Sequence, residues 1–297
     1  MKIRKSGDGI HLFDRKTGLN LLLDEVNISP RHWSRAPRFA SIALTNLCDL
    51  SCPFCYAPKE KASLEFDQLS KWAIELDTNE CMGIGFGGGE PTLYPKFTEL
   101  CKHLAEITDL SISFTTHAHR LTTQIRNDLI GSIQFIRVSM DGVHDTYEKI
   151  RNRPFKKLLE QLQLVSDIAP FGINYVVNAE TISDLDEAIE LTLDAGASEL
   201  LLLPEYSENK LDKSTEKRLM HWVSENHNRI PLAISEASSI EGIPIANPFN
   251  SEEGTNAYIH VNAFGKVSHT SYQQSNAISI NKYGGILAAI KILQGEF

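Results

Sequence analysis

No stretch of this 297-residue sequence approaches the roughly 18 uninterrupted apolar residues that a membrane-spanning helix needs. The start, Met1-Lys2-Ile3-Arg4-Lys5, runs into charge with no apolar signal segment, so the chain is expected to stay in the cytosol with no membrane contact. Basic residues are in deficit: 29 Lys and Arg face 38 Asp and Glu, a net charge of −9, which argues against broad electrostatic capture of nucleic acid. Cysteine is scarce too. The five present are an odd number, and a reducing compartment makes a disulfide scaffold unexpected, so their spacing decides what they are for. Internal repeats and low-complexity tracts are also absent. What is there, 42% hydrophobic and 23% charged, is an ordinary globular profile with enough apolar residues for a sizeable core.

Residues 10–24 alternate in places around the turn Lys16-Thr17-Gly18, which predicts a β-hairpin. Its open edge suits addition of an extended peptide strand, or simply packs on its own domain. A Pro-punctuated linker over 29–38 carries Arg31, Arg35 and Arg38, cations for an acidic leader peptide, a phosphate, or solvent. From Phe39 to Glu205, short apolar runs alternate with helical patterns, the signature of repeated βα units on a parallel sheet. Six strands are predicted, at 39–45, 82–86, 110–115, 133–139, 173–178 and 199–203, with helices near 66–76, 95–107, 121–130, 154–168 and 182–195. Six units are fewer than the eight of a closed barrel, so the predicted fold class is α/β, a partial (β/α)6 TIM-like barrel. The tail reads as a polar helix at 214–226, a hairpin over 257–269 around Gly265 and a helix at 285–293, together a small α+β cap that shapes a pocket at the barrel mouth. Three regions follow: hairpin and linker 1–38, barrel 39–205, cap 206–297.

Directly after the first predicted strand comes Asn46-Leu47-Cys48-Asp49-Leu50-Ser51-Cys52-Pro53-Phe54-Cys55-Tyr56. Three thiolates in so short a loop can converge on one soft metal centre. Three is one ligand short of a closed zinc or iron-sulfur site, which leaves one metal position open to bind a small molecule. Zinc completed by His32 or a distant Cys is the competing reading. Cys81 and Cys101 fall at a strand start and within a helix, where small core residues are expected.

The C-x3-C-x2-C loop, with the aromatic Phe54 just before its third Cys, resembles the radical S-adenosylmethionine (SAM) superfamily. That resemblance implies that Cys48, Cys52 and Cys55 hold one [4Fe-4S] cluster whose fourth iron is chelated by SAM. It also implies reductive cleavage of SAM to a 5′-deoxyadenosyl radical that takes a hydrogen atom from a substrate, with an electron donor such as flavodoxin or ferredoxin. The Gly87-Gly88-Gly89-Glu90-Pro91 segment is similar to the family's Gly-Gly-Glu motif, placing Gly88, Gly89 and Glu90 at the SAM amino group, although a bare Gly-rich turn is commonly just a tight βα connection. Thr116 begins the place where the family often reads Thr-Asn-Gly; here His117 and Ala118 depart from it, and His117 and His119 read as surface loop residues, with metal ligation the alternative. Ser139, within Ser139-Met140-Asp141-Gly142, and Arg151 match a segment near the SAM carboxylate. Asn178 and Glu205 end strands at positions that in the family touch ribose or adenine.

The tail resembles the SPASM or twitch-like extensions of peptide-modifying members, but its hairpin continues as Ser268-His269-Thr270-Ser271, and no Cys occurs after Cys101. An auxiliary Cys-ligated cluster in that region is excluded by composition; His260 and His269 are expected on the polar face of the hairpin. The resemblance therefore implies an enzyme acting on a peptide, such as a natural-product precursor. A small metabolite or nucleotide is the alternative substrate, and a metal-binding interaction or sensor module the non-enzymatic one.

Overall fold

The computed structural model describes residues 1–205, 211–235, 239–245, 249–272 and 274–295. The hydrophobic periodicity explains its helices directly. In α1 (Phe66–Thr78) the buried residues Leu69, Trp72, Ala73 and Leu76 recur at spacings of three and four, as do Phe97, Leu100, Cys101 and Leu104 in α2 (Phe97–Ile107). The remaining barrel helices are α3 (Thr123–Leu129), α4 (His144–Arg151), α5 (Phe155–Val165), α6 (Leu185–Asp194) and α7 (Lys213–Asn226). The Thr122 side chain caps α3, and Asp212 accepts the Ser214 and Thr215 amides to cap α7.

These helices pack on a sheet built from β4 (Phe39–Thr45), β5 (Gly83–Gly88), β6 (Ser111–Thr116), β7 (Phe135–Ser139), β8 (Phe171–Val177), β9 (Leu200–Pro204) and β10 (Leu232–Ile234), each parallel to its neighbour. The six predicted strands are present within two residues at either end, and β10 adds a seventh. The tail does not stand apart from this sheet. Its strands β11 (Tyr258–Val261), β12 (Lys266–Ser268) and β13 (Ile278–Ser279) extend it past β4, with Tyr258 paired to Phe39 and Val261 to Ile42. The full order is β10-β9-β8-β7-β6-β5-β4-β11-β12-β13, an open, partial TIM-like sheet among the described residues. The terminal helix α8 (Ile286–Leu293) starts on the Glu75 carboxylate of α1, which accepts the Ile286 and Leu287 amides at 2.9 and 3.0 Å.

The predicted N-terminal hairpin is part of a larger element. Its strands β2 (Gly9–Asp14) and β3 (Leu19–Leu23) are joined by β1 (Lys2–Ser6) in a three-stranded antiparallel sheet of order β1-β2-β3. The charged start is buried because its partners lie far off in sequence: Lys2 Nζ meets Asp77 at 2.7 Å, and Arg4, 2% exposed, meets Glu252 at 2.8 Å. Arg4 also donates to the carbonyls of Ala36, Glu80 and Asn256, which pins this sheet to the barrel.

Candidate active site

Along each barrel strand, alternate residues divide two environments. One set, including Ile42, Leu44, Ile84, Phe86, Ile112, Phe114, Ile136 and Val138, is buried under the helices and forms the core. The other set lines one cavity of about 1000 Å³: Ser41, Gly83, Gly85, Gly87, Ser111, Ser113, Thr115, Arg137, Ser139 and Asn174 are small or polar, and Phe39, Phe135, Val176, Leu201 and Leu203 stand among them. A closed barrel of this type fills its interior with branched apolar layers; this one is hollow. The chamber runs from Cys48, Cys52, Phe54 and Cys55 to His11, Phe13 and Asn20 of the N-terminal sheet, and the tail supplies Tyr258, His260, His269 and Tyr272 to its wall.

The cysteine loop is docked by backbone. Gly89 N donates to Thr45 O at 2.7 Å and Glu90 N to Leu47 O at 2.8 Å. A Cβ on Gly88, whose φ is +115°, would stand 2.2 Å from Thr45 O, and one on Gly89 would stand 2.1 Å from Leu47 O. These two glycines therefore let the end of β5 lie against the loop. Within the loop, Leu50 N donates to Cys48 Sγ at 3.4 Å, an amide aimed at a sulfur. Cys48 and Cys55 are exposed, Cys52 is half-buried, and removal from water pushes the Cys48 and Cys52 thiols up. Cys81 and Cys101 are buried in the core as predicted, the former pushed up to about 11 by burial.

Glu90 is 1% exposed, and its carboxylate is held on both oxygens. Oε1 accepts from Thr92 Oγ1 at 2.7 Å and Thr116 Oγ1 at 2.8 Å, while Oε2 accepts the His117 amide at 3.1 Å. His117 corrects a sequence expectation: it is 4% exposed, not a surface loop residue. Its Nδ1 accepts the His119 amide at 3.1 Å, which places the proton on Nε2, and that N–H points at Asp49 Oδ1, 2.9 Å away. Glu90 Oε2 lies 3.4 Å from the same nitrogen. One imidazole thus ties the cysteine loop to the Gly-Gly-Glu segment. His119 is partly buried as well, donating or accepting at Tyr147 Oη over 2.8 Å, and burial, helped by the nearby Arg153 charge, pulls it down to about 4.

Further along the rim, Arg151 is paired with Asp141, whose other oxygen accepts the Val176 amide at 2.8 Å. Arg151, Asp141 and Ser139 all line the chamber. Asn178 does not line it. Its Oδ1 accepts the Glu180 and Thr181 amides and its Nδ2 donates to Glu205 at 2.8 Å, so Asn178 positions Glu205, which does face the cavity. On the tail side, Tyr56 packs against Tyr272 with ring centres 4.6 Å apart and planes tilted by 59°. His260 is 4% exposed instead of lying on a polar face; its Nδ1 meets Ser41 Oγ at 3.3 Å across the β4–β11 pairing, and burial pulls it down to about 4.

Residues 42–192, half of the chain and the span that carries the cysteine loop, match the model of the Radical SAM superfamily. This chain belongs to the radical SAM superfamily. It is an enzyme of that class, which uses a [4Fe-4S] cluster and SAM. A probable GTP 3′,8-cyclase of Saccharolobus islandicus (strain L.S.2.15 / Lassen #1) is 24% identical to it over 281 residues, 86% of this chain and 87% of the relative. A PqqA peptide cyclase of Bradyrhizobium diazoefficiens is 28% identical over 174 residues, 55% of this chain and 45% of the relative. In fold, the chain is similar to Streptococcus suis SuiB bound to the precursor peptide SuiA, with a TM-score of 0.77 at 14% identity, covering 99% of this chain and 88% of that one. The donor set fits the cofactors of the class: three free thiols in one loop, all on the wall of one chamber, with a sulfur-directed amide beside the first.

Proposed function

We propose that this radical SAM enzyme modifies a peptide, with Cys48, Cys52 and Cys55 holding the [4Fe-4S] cluster and SAM lying between that loop and Glu90. The observation that carries the reading is the hollow barrel. On the inner face of β4–β8, small and polar side chains beside Phe39, Phe135 and Val176 leave about 1000 Å³, the upper end of what a small-molecule site offers, in a chamber that reaches the N-terminal sheet. That sheet ends in β3, all of whose residues are exposed. An extended segment entering there can reach the cysteine loop without unfolding any strand. The peptide substrates named for PqqA peptide cyclase and for SuiB support the same reading.

When bound, the cluster and SAM supply one-electron cleavage of a sulfonium and a carbon radical that takes hydrogen from the substrate. The chain's own residues do the rest. Gly88 and Gly89 hold the cysteine loop against β5, and Phe54 of that loop lines the chamber. Glu90, whose carboxylate accepts from Thr92, Thr116 and His117, lines the chamber where an ammonium group would bind. Ser139 and the Arg151–Asp141 pair stand across the chamber, with Arg151 offering a guanidinium to a carboxylate. Glu205, steadied by Asn178, is a hydrogen-bond acceptor for sugar hydroxyls. Tyr56 of the cysteine loop and the tail residues Tyr258, Tyr272 and His260 limit access of water to the reacting atoms.

A second reading, action on a nucleotide, is favoured by the GTP 3′,8-cyclase likeness over 86% of the chain. Anaerobic incubation with SAM and a reductant decides between them. A mass change in a precursor peptide, with GTP unconsumed, supports the peptide reading; consumption of GTP with the peptide unaltered overturns it.

A further inference from the structure

The linker over 29–38 carries three arginines, and the fold treats them differently. Arg38 is paired: its Nη2 donates to Glu252 Oε1 at 3.0 Å. Arg31 and Arg35 are exposed, and their side chains, like that of His32, make no hydrogen bond or ion pair among the described residues. Both arginines line one cavity of about 630 Å³, which shares no lining residue with the chamber of the cysteine loop. In a chain of net charge −9, two unpaired guanidinium groups on one cavity are a local reversal of sign.

The walls of this cavity are the linker, with its 3-10 turn Pro30–His32, Lys5 of β1 and the end of α1. Among the described residues, its lining carries three cations, Lys5, Arg31 and Arg35, against one acid, Glu80. That acid is already engaged: Ser34 Oγ donates to it at 2.6 Å, and Lys5 Nζ stands 3.7 Å away. The carbonyls at the end of α1, the negative pole of the helix, are covered as well. Asp77 O accepts from Lys2 Nζ at 2.7 Å, Leu76 O from the Cys81 amide at 3.0 Å and Asn79 O from the Ala36 amide at 3.0 Å. Trp33 adds a flat apolar surface to the wall. Its indole N–H donates to Ile28 O at 3.0 Å, which fixes the ring in place.

We propose that this cavity is a second ligand site, built for a nucleotide, with its phosphate groups on Arg31 and Arg35 and its base on Trp33. Guanidinium forks match phosphate oxygens in two-point contacts, and an aromatic face takes a base by stacking. The volume lies within the range of small-molecule sites. Cations gathered around one hollow suit a compact polyanion better than an extended acidic segment, whose carboxylates on one face of a strand are spaced about 7 Å apart. Because the cavity is separate from the chamber, its occupation depends neither on the cluster nor on which substrate the enzyme modifies.

The test uses ATP as the probe on the full chain, followed by calorimetry and by indole fluorescence. Trp72 and Trp222 are buried, so Trp33 is the tryptophan placed to report. ATP should bind saturably and alter the emission, tripolyphosphate should displace it, and adenosine should bind at least about tenfold more weakly. Arg31→Ala/Arg35→Ala should weaken ATP at least about tenfold with the melting temperature unaltered, since both side chains are exposed and unpaired. Trp33→Phe should keep calorimetric binding within about tenfold of wild type and lose the fluorescence change. Absence of saturable ATP binding at millimolar concentration would overturn the site. So would equal ATP affinity in the double variant, which would place the nucleotide elsewhere, and so would hexaglutamate binding more tightly than ATP, which would assign the cavity to an acidic peptide.

Discussion

His117 Nε2 stands 2.9 Å from Asp49 Oδ1, so the end of β6 and the loop between the first two clustered cysteines are joined through one buried imidazole. His119 N–H occupies the other ring nitrogen, and Glu90 shares the Nε2 side, which leaves His117 little freedom to rotate. His117→Ala should cost about 1–2 kcal/mol of local stability, the usual penalty for stranding a buried partner. Backbone amides over 46–56 in the cluster-free chain should then exchange roughly tenfold faster, with iron retention after reconstitution reduced. Exchange at the wild-type rate would show that the contact does not position the loop.

The five cysteines should separate into two groups. Alanine at Cys48, Cys52 or Cys55 should remove iron and sulfide and barely alter the melting temperature of the cluster-free protein, because these side chains belong to a loop outside the core. Alanine at Cys81 or Cys101 should retain iron and lower stability by on the order of 1 kcal/mol through lost packing. Metal analysis and thermal melts of the five single variants check this directly.

Filling the hollow barrel should uncouple substrate chemistry from SAM cleavage. Ser113 faces the chamber, and its Oγ makes one 3.3 Å contact to Ile84 O. Ser113→Leu adds apolar volume where the proposed substrate lies, at a folding cost of about 1 kcal/mol. Modified peptide should fall at least about tenfold while unproductive 5′-deoxyadenosine persists. Full product formation would place the substrate elsewhere.

The stability of the protein should depend on pH through His260. Burial pulls this imidazole down to about 4 from 6.5, so between those values the unfolded chain binds a proton that the folded one refuses. Stability should accordingly rise as pH increases from about 4 to about 6.5 and be fully present above, His260 alone contributing up to about 3 kcal/mol. Melting temperatures of wild type and His260→Asn across this range isolate the effect: the variant should show a shallower slope, and an identical slope would contradict a neutral buried His260.

Much of the site was legible in the sequence because its parts lie in short loops at strand ends. The cysteine triplet and Gly88-Gly89-Glu90 are local patterns, and the structure brings both to one chamber together with Phe54, Thr116, Ser139 and Arg151. Strand β4 is found at its predicted bounds since Phe39–Thr45 is apolar and ends at the loop. What escaped depends on distant partners. The charged start carries no apolar alternation of its own, and its partners Asp77 and Glu252 are distant from Lys2 and Arg4, which hid β1. His117 and His260 read as surface residues because their contacts, Asp49 and Ser41, lie 68 and 219 positions away. Helix α4 buries only Tyr147 and Ile150 in an otherwise polar run, too little apolar periodicity to show, and β10 is a three-residue strand at the sheet edge.

Electron paramagnetic resonance of the anaerobically reconstituted, reduced protein, recorded with and without SAM, tests the cysteine loop most directly. The account predicts a signal from one reduced [4Fe-4S] cluster per chain whose shape shifts when SAM is added, and no such signal in a Cys48→Ala/Cys52→Ala/Cys55→Ala variant. A signal that SAM leaves untouched, or one that survives loss of all three thiols, would contradict it.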